Sequence, residues 1–444
     1  MTQKEALEIM KSGHNVFLTG RPGSGKTYLL NKFIQFLRQE NIPTGVTAST
    51  GIAATHLNGM TIHSWCGMGV LSQLDDEKLK KILRKKNLQT RLRKSRVLII
   101  DEVSMLSARH LDVASEIVRS FRQSWEPFGG MQVVLCGDFF QLPPVGNKND
   151  RKTCLFAYHS SAWPGLKFKI CYLAEQHRQT DREYLFALEA IRTNSVDETV
   201  RALLQRRIGA SLRTGPHTKF GVGAGQSRSF RVRPEYTKLY THNVDVDAIN
   251  ARELQKLPGK ERVFHRSSSG PMALVEMLHR SCLAPEALAL KKGAFVMFVR
   301  NNLEQGFVNG TLGIVEKFDD DGFPVVETKT GRRIKVFPEK WRIEEDDEVK
   351  AEIRQLPLRL AWAITVHKSQ GMTIDACEID LRKSFEPGMG YVALSRTSSL
   401  EGIRLVGFND IALRVNEEAL KMDKRFQESS RRIAAEFLLL GRKN

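Results

Sequence analysis

The segment Gly20-Arg-Pro-Gly-Ser-Gly-Lys26-Thr27 fits G-x-x-x-x-G-K-[ST] and lies between an apolar run, NVFLT (15–19), and a stretch with Leu30, Phe33, Ile34 and Leu37 at helical spacing. Strand, glycine loop and helix in that order predict a phosphate-binding turn, which commits this part of the chain to an α/β layer. Glycines allow the backbone N–H groups to wrap a phosphate, while Lys26 neutralises its outer oxygens and the Thr27 hydroxyl binds Mg²⁺. Gly20, Gly23, Ser24, Gly25, Lys26 and Thr27 are the nucleotide candidates.

Further apolar runs, TGVTAS (44–49), RVLII (96–100) and MQVVLCG (131–137), each deliver a polar or glycine-rich segment at their C-terminal end, the edge where ligands bind in open parallel sheets. The run Val-Leu-Ile-Ile-Asp101-Glu102 puts paired carboxylates at a strand tip. Asp101 is placed to hold the metal shell and Glu102 to polarise water, which implies hydrolysis of the bound nucleotide with Mg²⁺. The next tip carries Gln141, within reach of a terminal phosphate. Asn147-Lys148-Asn149-Asp150 fits the guanine-reading pattern Asn-Lys-x-Asp, but it follows Pro-Pro-Val-Gly instead of closing an apolar strand, so a GTPase is disfavoured.

At 444 residues the chain is expected to form roughly two to four domains. A second alternating region begins at FKICYL (168–173) and continues through TKLYTHN, KKGAFVMFV, ACEIDL and GIRLVGF. Short strands with turn signals over 313–355 predict an inserted β-barrel. Residues 209–233, rich in Gly, Ser and Arg, are expected to form a mobile loop. The six cysteines contain no Cys-x-x-Cys pair, which favours reduced thiols over a zinc site or disulfides. No apolar run is long enough to cross a bilayer and no signal-peptide core is present, so an intracellular protein is expected.

The net charge of +18 calls for a polyanionic partner. Residues 78–96 hold ten Lys or Arg and no acid, and Leu79, Ile82 and Leu83 predict a basic amphipathic helix there.

The co-ordered segments TASTGIAATHLNG (47–59), TIHSW (61–65), IIDEVSML (99–106), PFGGMQVVLCGDFFQLPPV (127–145), EQHRQ (175–179), LRLAWAITVHKSQGMTID (358–375) and YVALSRT (391–397) resemble the Pif (petite integration frequency) family of superfamily-one DNA helicases, and more distantly the RecD subunit family. The resemblance implies an α/β protein with two RecA-like parallel-sheet domains. Domain 1A would take 1–65 and 97–167, a small wedge insertion 66–96, domain 2A 168–312 and 356–444, and an SH3-like β-barrel insertion 313–355. It implies a catalytic set of Lys26, Asp101, Glu102, Gln141, Arg178 and Arg396, both arginines on the second domain. Gln3 would read adenine, and Gly371 would join the nucleotide contacts. Thr50, Gly51, His63, Pro143, Thr365, His367 and Lys368 match DNA-contacting positions. His177 stands where relatives carry Phe.

An ATP-dependent, 5′-to-3′ DNA helicase is therefore expected, acting as a monomer on single-stranded DNA and forks in a DNA-containing compartment. Relatives also act on G-quadruplexes and RNA–DNA hybrids, which places the expected role in genome maintenance. The alternatives are a RecD-like translocase subunit and a DNA-dependent ATPase that remodels protein–DNA complexes.

Overall fold

In the computed structural model, which describes residues 1–69, 71, 73–144, 156–179, 181–212, 236–300, 302, 304–307, 309–328, 331–345, 348–374 and 376–441, the NVFLT run folds as strand β1 (Val16–Gly20), buried along its whole length. It is followed by β2 (Thr44–Ala48), β3 (Met60–Thr61), β4 (Val97–Asp101), β5 (Gln132–Cys136) and β6 (Lys169–Leu173). These strands make a six-stranded sheet of order β3-β2-β4-β5-β1-β6, all paired in parallel. Near-continuous apolar runs such as VLIID suit a sheet covered on both faces. Helix α1 (Gln3–Lys11) starts in a capping box, with Thr2 accepting from the Glu5 N–H and Glu5 accepting from the Thr2 N–H. Helix α2 (Lys26–Gln39) buries Leu29, Leu30, Phe33, Ile34 and Leu37 at the spacing read from the sequence.

The chain divides into two units, Met1–Arg178 with Val415–Asn444, and Gln179–Arg414. This changes the expected boundaries at two places. FKICYL does not open the second unit, because as β6 it pairs with β1, Phe17 opposite Ile170. The C-terminal helix Glu417–Gly441 also belongs to the first unit. Its Ser430 Oγ accepts from the Tyr172 N–H at 3.0 Å, and its Phe426 ring lies 4.9 Å from Phe17. An apolar pentapeptide carries no mark of the sheet it will join; pairing between distant strands decides it.

Helices α3 (Gly51–His56) and α4 (Ile62–Trp65) follow β2 and β3. The predicted basic helix is two shorter ones, α5 (Asp76–Leu83) and α6 (Lys86–Lys94), broken at Arg84-Lys85. Asp75 caps α5 by accepting from the Lys78 N–H. Several cations here and nearby are anchored to backbone: Arg91 donates to Trp65 O, Arg93 to Phe121 O, and Arg122, from helix α7 (Ala108–Arg122), to the carbonyls of Leu92, Arg93 and Ser95.

In the second unit a four-stranded parallel sheet has the order Ala363–Thr365, β7 (Thr237–Tyr240), Cys377–Leu381, Ile403–Phe408. The FVMF strand of KKGAFVMFV is not in it. Phe295–Phe298 runs antiparallel between Leu312–Phe318 and Leu358–Leu360, inside a five-stranded sheet that also takes Pro324–Thr328 and Arg333–Lys335. Glu339–Glu345 pairs instead with Glu348–Gln355, whose other edge takes Ser267–Ser269, in a separate three-stranded sheet. The antiparallel region thus extends on both sides of the expected 313–355, because its strands find partners far along the chain. Asn147–Asp150, Cys154 and 213–235, most of the Gly/Arg-rich segment, lie outside the described residues. Among the described residues no helix is long and apolar enough to cross a membrane.

Candidate nucleotide and nucleic-acid site

The phosphate loop turns between β1 and α2 because Gly23 and Gly25 take left-handed backbone angles, φ +87° and +84°. Neither has room for a side chain. A Cβ on Gly25 would stand 2.2 Å from Gln3 Nε2, and one on Gly23 would stand 2.5 Å from Arg178 Cβ. Lys26, the first residue of α2, donates from Nζ to Gly20 O at 2.7 Å and Arg21 O at 3.0 Å. Thr27 is exposed beside it, while Ser24 is fully buried and its hydroxyl has no hydrogen-bond partner among the described residues.

Gln3 donates from Nε2 to Ser24 O at 3.2 Å and meets His177 Nε2 at the same distance. The His177 ring lies 3.3 Å from Glu175 Oε2, and its backbone N–H donates to Gly23 O. The expected adenine-reading glutamine therefore does border the loop. Arg178 was expected on the second domain, yet it falls in the first unit, against Gly23. The reason is β6: a strand parallel to β1 hands the chain on at the same edge of the sheet.

That edge also carries the acids. Asp101 ends β4, only 5% exposed, and accepts the Glu102 N–H at 2.8 Å. Burial pushes its carboxyl up, against the lowering effects of hydrogen bonds from the Cys136 thiol and the Glu102 N–H and of the Lys26 charge. Glu102 itself adopts φ +51°, an uncommon angle for a residue with a side chain, and Ser49 Oγ holds its carbonyl at 2.6 Å. Gln141 follows β5, 6% exposed, with no hydrogen-bond partner on Oε1 among the described residues. A buried hydroxyl at a lysine-bearing helix N-terminus, with a buried amide oxygen past the end of another strand of the same sheet, fits a nucleoside triphosphate with its Mg²⁺.

The nucleic-acid candidates of the first unit sit beyond the tips of neighbouring strands. Thr50 and Gly51 lead into α3, where Thr50 Oγ1 accepts the Ala53 N–H, and half-buried Pro143 follows Gln141. His63 lies in α4 with its ring 5.1 Å from that of His110, whose Nδ1 is 2.7 Å from Ser107 Oγ. Burial first, then the neighbouring His110, hold His63 down at about 4.

The second unit holds the rest. Thr365 ends a strand and its Oγ1 accepts the Lys368 N–H; His367 and Lys368 form the next turn, and Gly371 follows at φ +74°. Burial lowers both the imidazole of His367 and the ammonium of Lys368; Arg359 lowers Lys368 further while Asp247 raises it. Arg396 is 1% exposed and donates from Nε to Val392 O at 2.8 Å and from Nη2 to Ser395 Oγ at 2.8 Å. Sequence reasoning passed over Arg359, whose Nε is buried without a hydrogen-bond partner among the described residues, and over Cys136; both lie inside the motif segments 358–375 and 127–145, where the residue pattern gives them no role, and only burial brings them out.

With this geometry in place, the profile of the PIF1-like helicase family matches residues 2–207 and that of the DNA helicase Pif1 2B domain matches 273–318. ATP-dependent DNA helicase Pif1 of Psychrobacter is 42% identical, over 97% of this chain and 71% of its own length. The chain spans 64% of the length of the Xenopus laevis relative, ATP-dependent DNA helicase PIF1, at 36% identity and 96% coverage of this chain. Among solved structures, Pif1 helicase from Candida albicans superposes with a TM-score of 0.77 at 34% identity, covering 95% of this chain and 98% of that one. Bacteroides Pif1 in complex with ADP-AlF4 gives 0.78 at 31%, covering 96% of each. The same helicase with ADP-AlF3 and ssDNA gives 0.64 at 31%, again covering 96% of each.

Proposed function

Because the chain belongs to the PIF1-like helicase family, we infer that it is an ATP-dependent DNA helicase that binds single-stranded DNA and forks and couples ATP hydrolysis to strand separation. The observation that carries this reading is the first unit's sheet edge, where phosphate loop, paired acids, Gln141 and Arg178 converge. ATP supplies the phosphoanhydride bond, and Mg²⁺ draws charge from its oxygens. The backbone of Gly20, Gly23, Ser24 and Gly25 with the Lys26 ammonium holds the phosphates; Thr27 and Asp101 hold the metal. Glu102 accepts the proton of the attacking water, and Gln141 senses the terminal phosphate. Arg178 and Arg396 neutralise developing charge with planar forks that lysine does not offer. Gln3 reads the base and Gly371 completes the nucleotide contacts.

Thr50, Gly51, His63 and Pro143 on the first unit, and Thr365, His367 and Lys368 on the second, grip the strand through backbone, hydroxyl, ring and ammonium groups. The structures of Bacteroides Pif1 with ssDNA, and of two coordinating Pif1 helicases at forked dsDNA, support this substrate class. Movement runs 5′ to 3′, the working unit is one chain, and G-quadruplexes and RNA–DNA hybrids are further substrates. The setting is a DNA-containing compartment and the role genome maintenance.

Strand displacement with Mg²⁺ and ATP, on forks tailed at either the 5′ or the 3′ end, tests the reading. Unwinding is expected only with the 5′ tail. Glu102→Gln should bind ATP and DNA normally and unwind neither fork; loss of binding as well would remove Glu102 from its assigned role. DNA-stimulated hydrolysis without unwinding by the native chain would point to a translocase or a RecD-like subunit instead.

A further inference from the structure

Arg396 lies on a short turn whose backbone is held by other segments of the second unit. The carbonyls of Ser395 and Thr397, on either side of the arginine, accept from one side chain: Gln179 Nε2, at 3.2 and 2.9 Å. Gln179 is 2% exposed. The carbonyl of Arg396 accepts the Ile374 N–H at 2.9 Å. Tyr184, fully buried, donates its hydroxyl to Leu394 O, and its oxygen lies 2.8 Å from Thr397 Oγ1. Asp181 ties the same two segments, one carboxylate oxygen accepting the Tyr184 N–H and the other the Leu400 N–H.

A guanidinium on a long side chain reaches a fixed point only if its backbone is fixed. The side chain of Arg396 is bonded within its own turn and to Ser369 O, so its direction follows the turn that carries it. Glutamine is suited to hold that turn. Its terminal NH₂ has two donors in one plane, enough for two carbonyls at once, whereas a glutamate offers none and would face both carbonyls with like polarity. Gln179 also follows Arg178 directly in the chain, so the backbone that presents one proposed phosphate-contacting arginine continues into the residue that holds the other.

We propose that Gln179 is a positioning residue for ATP hydrolysis, acting through the backbone of Arg396, with Tyr184 as its second support. The proposal rests on the assignment of Arg396 to the hydrolytic step.

The test is the ssDNA-stimulated ATPase of the full chain with Gln179→Glu, Arg396→Ala and the double substitution, alongside thermal unfolding. Gln179→Glu should lower kcat by about 10- to 100-fold with KM for ATP changed less than about threefold, since an interaction used only in the reaction step leaves binding intact. In the Arg396→Ala background it should have almost no further effect, because residues that act as a unit are strongly non-additive. A structural role alone would instead multiply the losses and lower the melting temperature in step. Should Gln179→Glu fail to fold, Tyr184→Phe removes one hydroxyl and keeps the ring; it should show a smaller kcat loss with the same dependence on Arg396. Normal kcat in the folded variant, or losses that multiply in the double substitution while Arg396→Ala alone is impaired, overturns the role of Gln179 and leaves that of Arg396 standing. Full kcat in Arg396→Ala overturns the assignment of Arg396 and the inference with it.

Discussion

His63 shows how a side chain chosen for one surface sets a condition on the whole first unit. Its imidazole is held at about 4 instead of 6.5, by burial and then by the neighbouring His110. The unfolded chain takes up a proton on this ring as pH falls below 6.5, and the folded unit refuses it until about 4. The native state therefore loses stability as pH drops through that window and loses no more below it, on the order of 3 kcal/mol in total. His63→Gln should flatten this part of the curve of denaturation midpoint against pH, and an unchanged curve would show that the ring is protonated in the folded state. The same neutrality suits packing against sugars and bases. Single residues were the part of the site most readily read from the sequence. Lys26, Asp101, Glu102 and Gln141 all stand on the expected edge, because each lies within a few residues of an apolar strand that places it. Arg178 and Gln179 were legible only as members of EQHRQ, since their partners, Gly23 and the Arg396 turn, are remote in the sequence.

Among the elements, the C-terminal helix has the largest effect on the first unit relative to its sequence signal. It packs on β6, accepts the Tyr172 N–H through Ser430 and inserts Phe426 among Phe17, Phe139 and Trp163, with ring centroids 4.9 to 6.3 Å away. Phe17 belongs to the strand before the phosphate loop and Phe139 to the segment that carries Gln141, so the helix braces both sides of the nucleotide edge. Phe426→Ala leaves a cavity there and should cost about 3 kcal/mol in chemical denaturation. A loss under about 1 kcal/mol would mean that the aromatic cluster closes over the gap. Helical periodicity foretells such an element but not its address. The break between α5 and α6 was also invisible in a run of good helix formers, because it depends on how Ile82, Leu88 and Leu92 find buried positions.

At the scale of the molecule, the charge of +18 governs association with DNA. Counterion release predicts that the Kd for single-stranded DNA, followed by fluorescence anisotropy, rises at least about tenfold between roughly 50 and 200 mM salt. A flat response would mean that rings and backbone, not cations, supply the grip. Several cations of the α5–α6 region and its surroundings are committed to carbonyls, Arg91, Arg93 and Arg122 among them, so formal charge overstates what this region offers a phosphate. What the sequence by itself determined was local: the phosphate loop, the acids at a strand tip, the strands TKLY, CEIDL and IRLVGF, and the α/β class, since each is set by residues within a turn or a strand of one another. Tertiary structure decided that FKICYL closes the first sheet, that FVMF joins an antiparallel one, that the last helix returns to the first unit, and that Gln179 holds the Arg396 turn. Each of these depends on pairing or burial between segments far apart in the chain, which hydrophobic pattern permits in many combinations and only packing resolves.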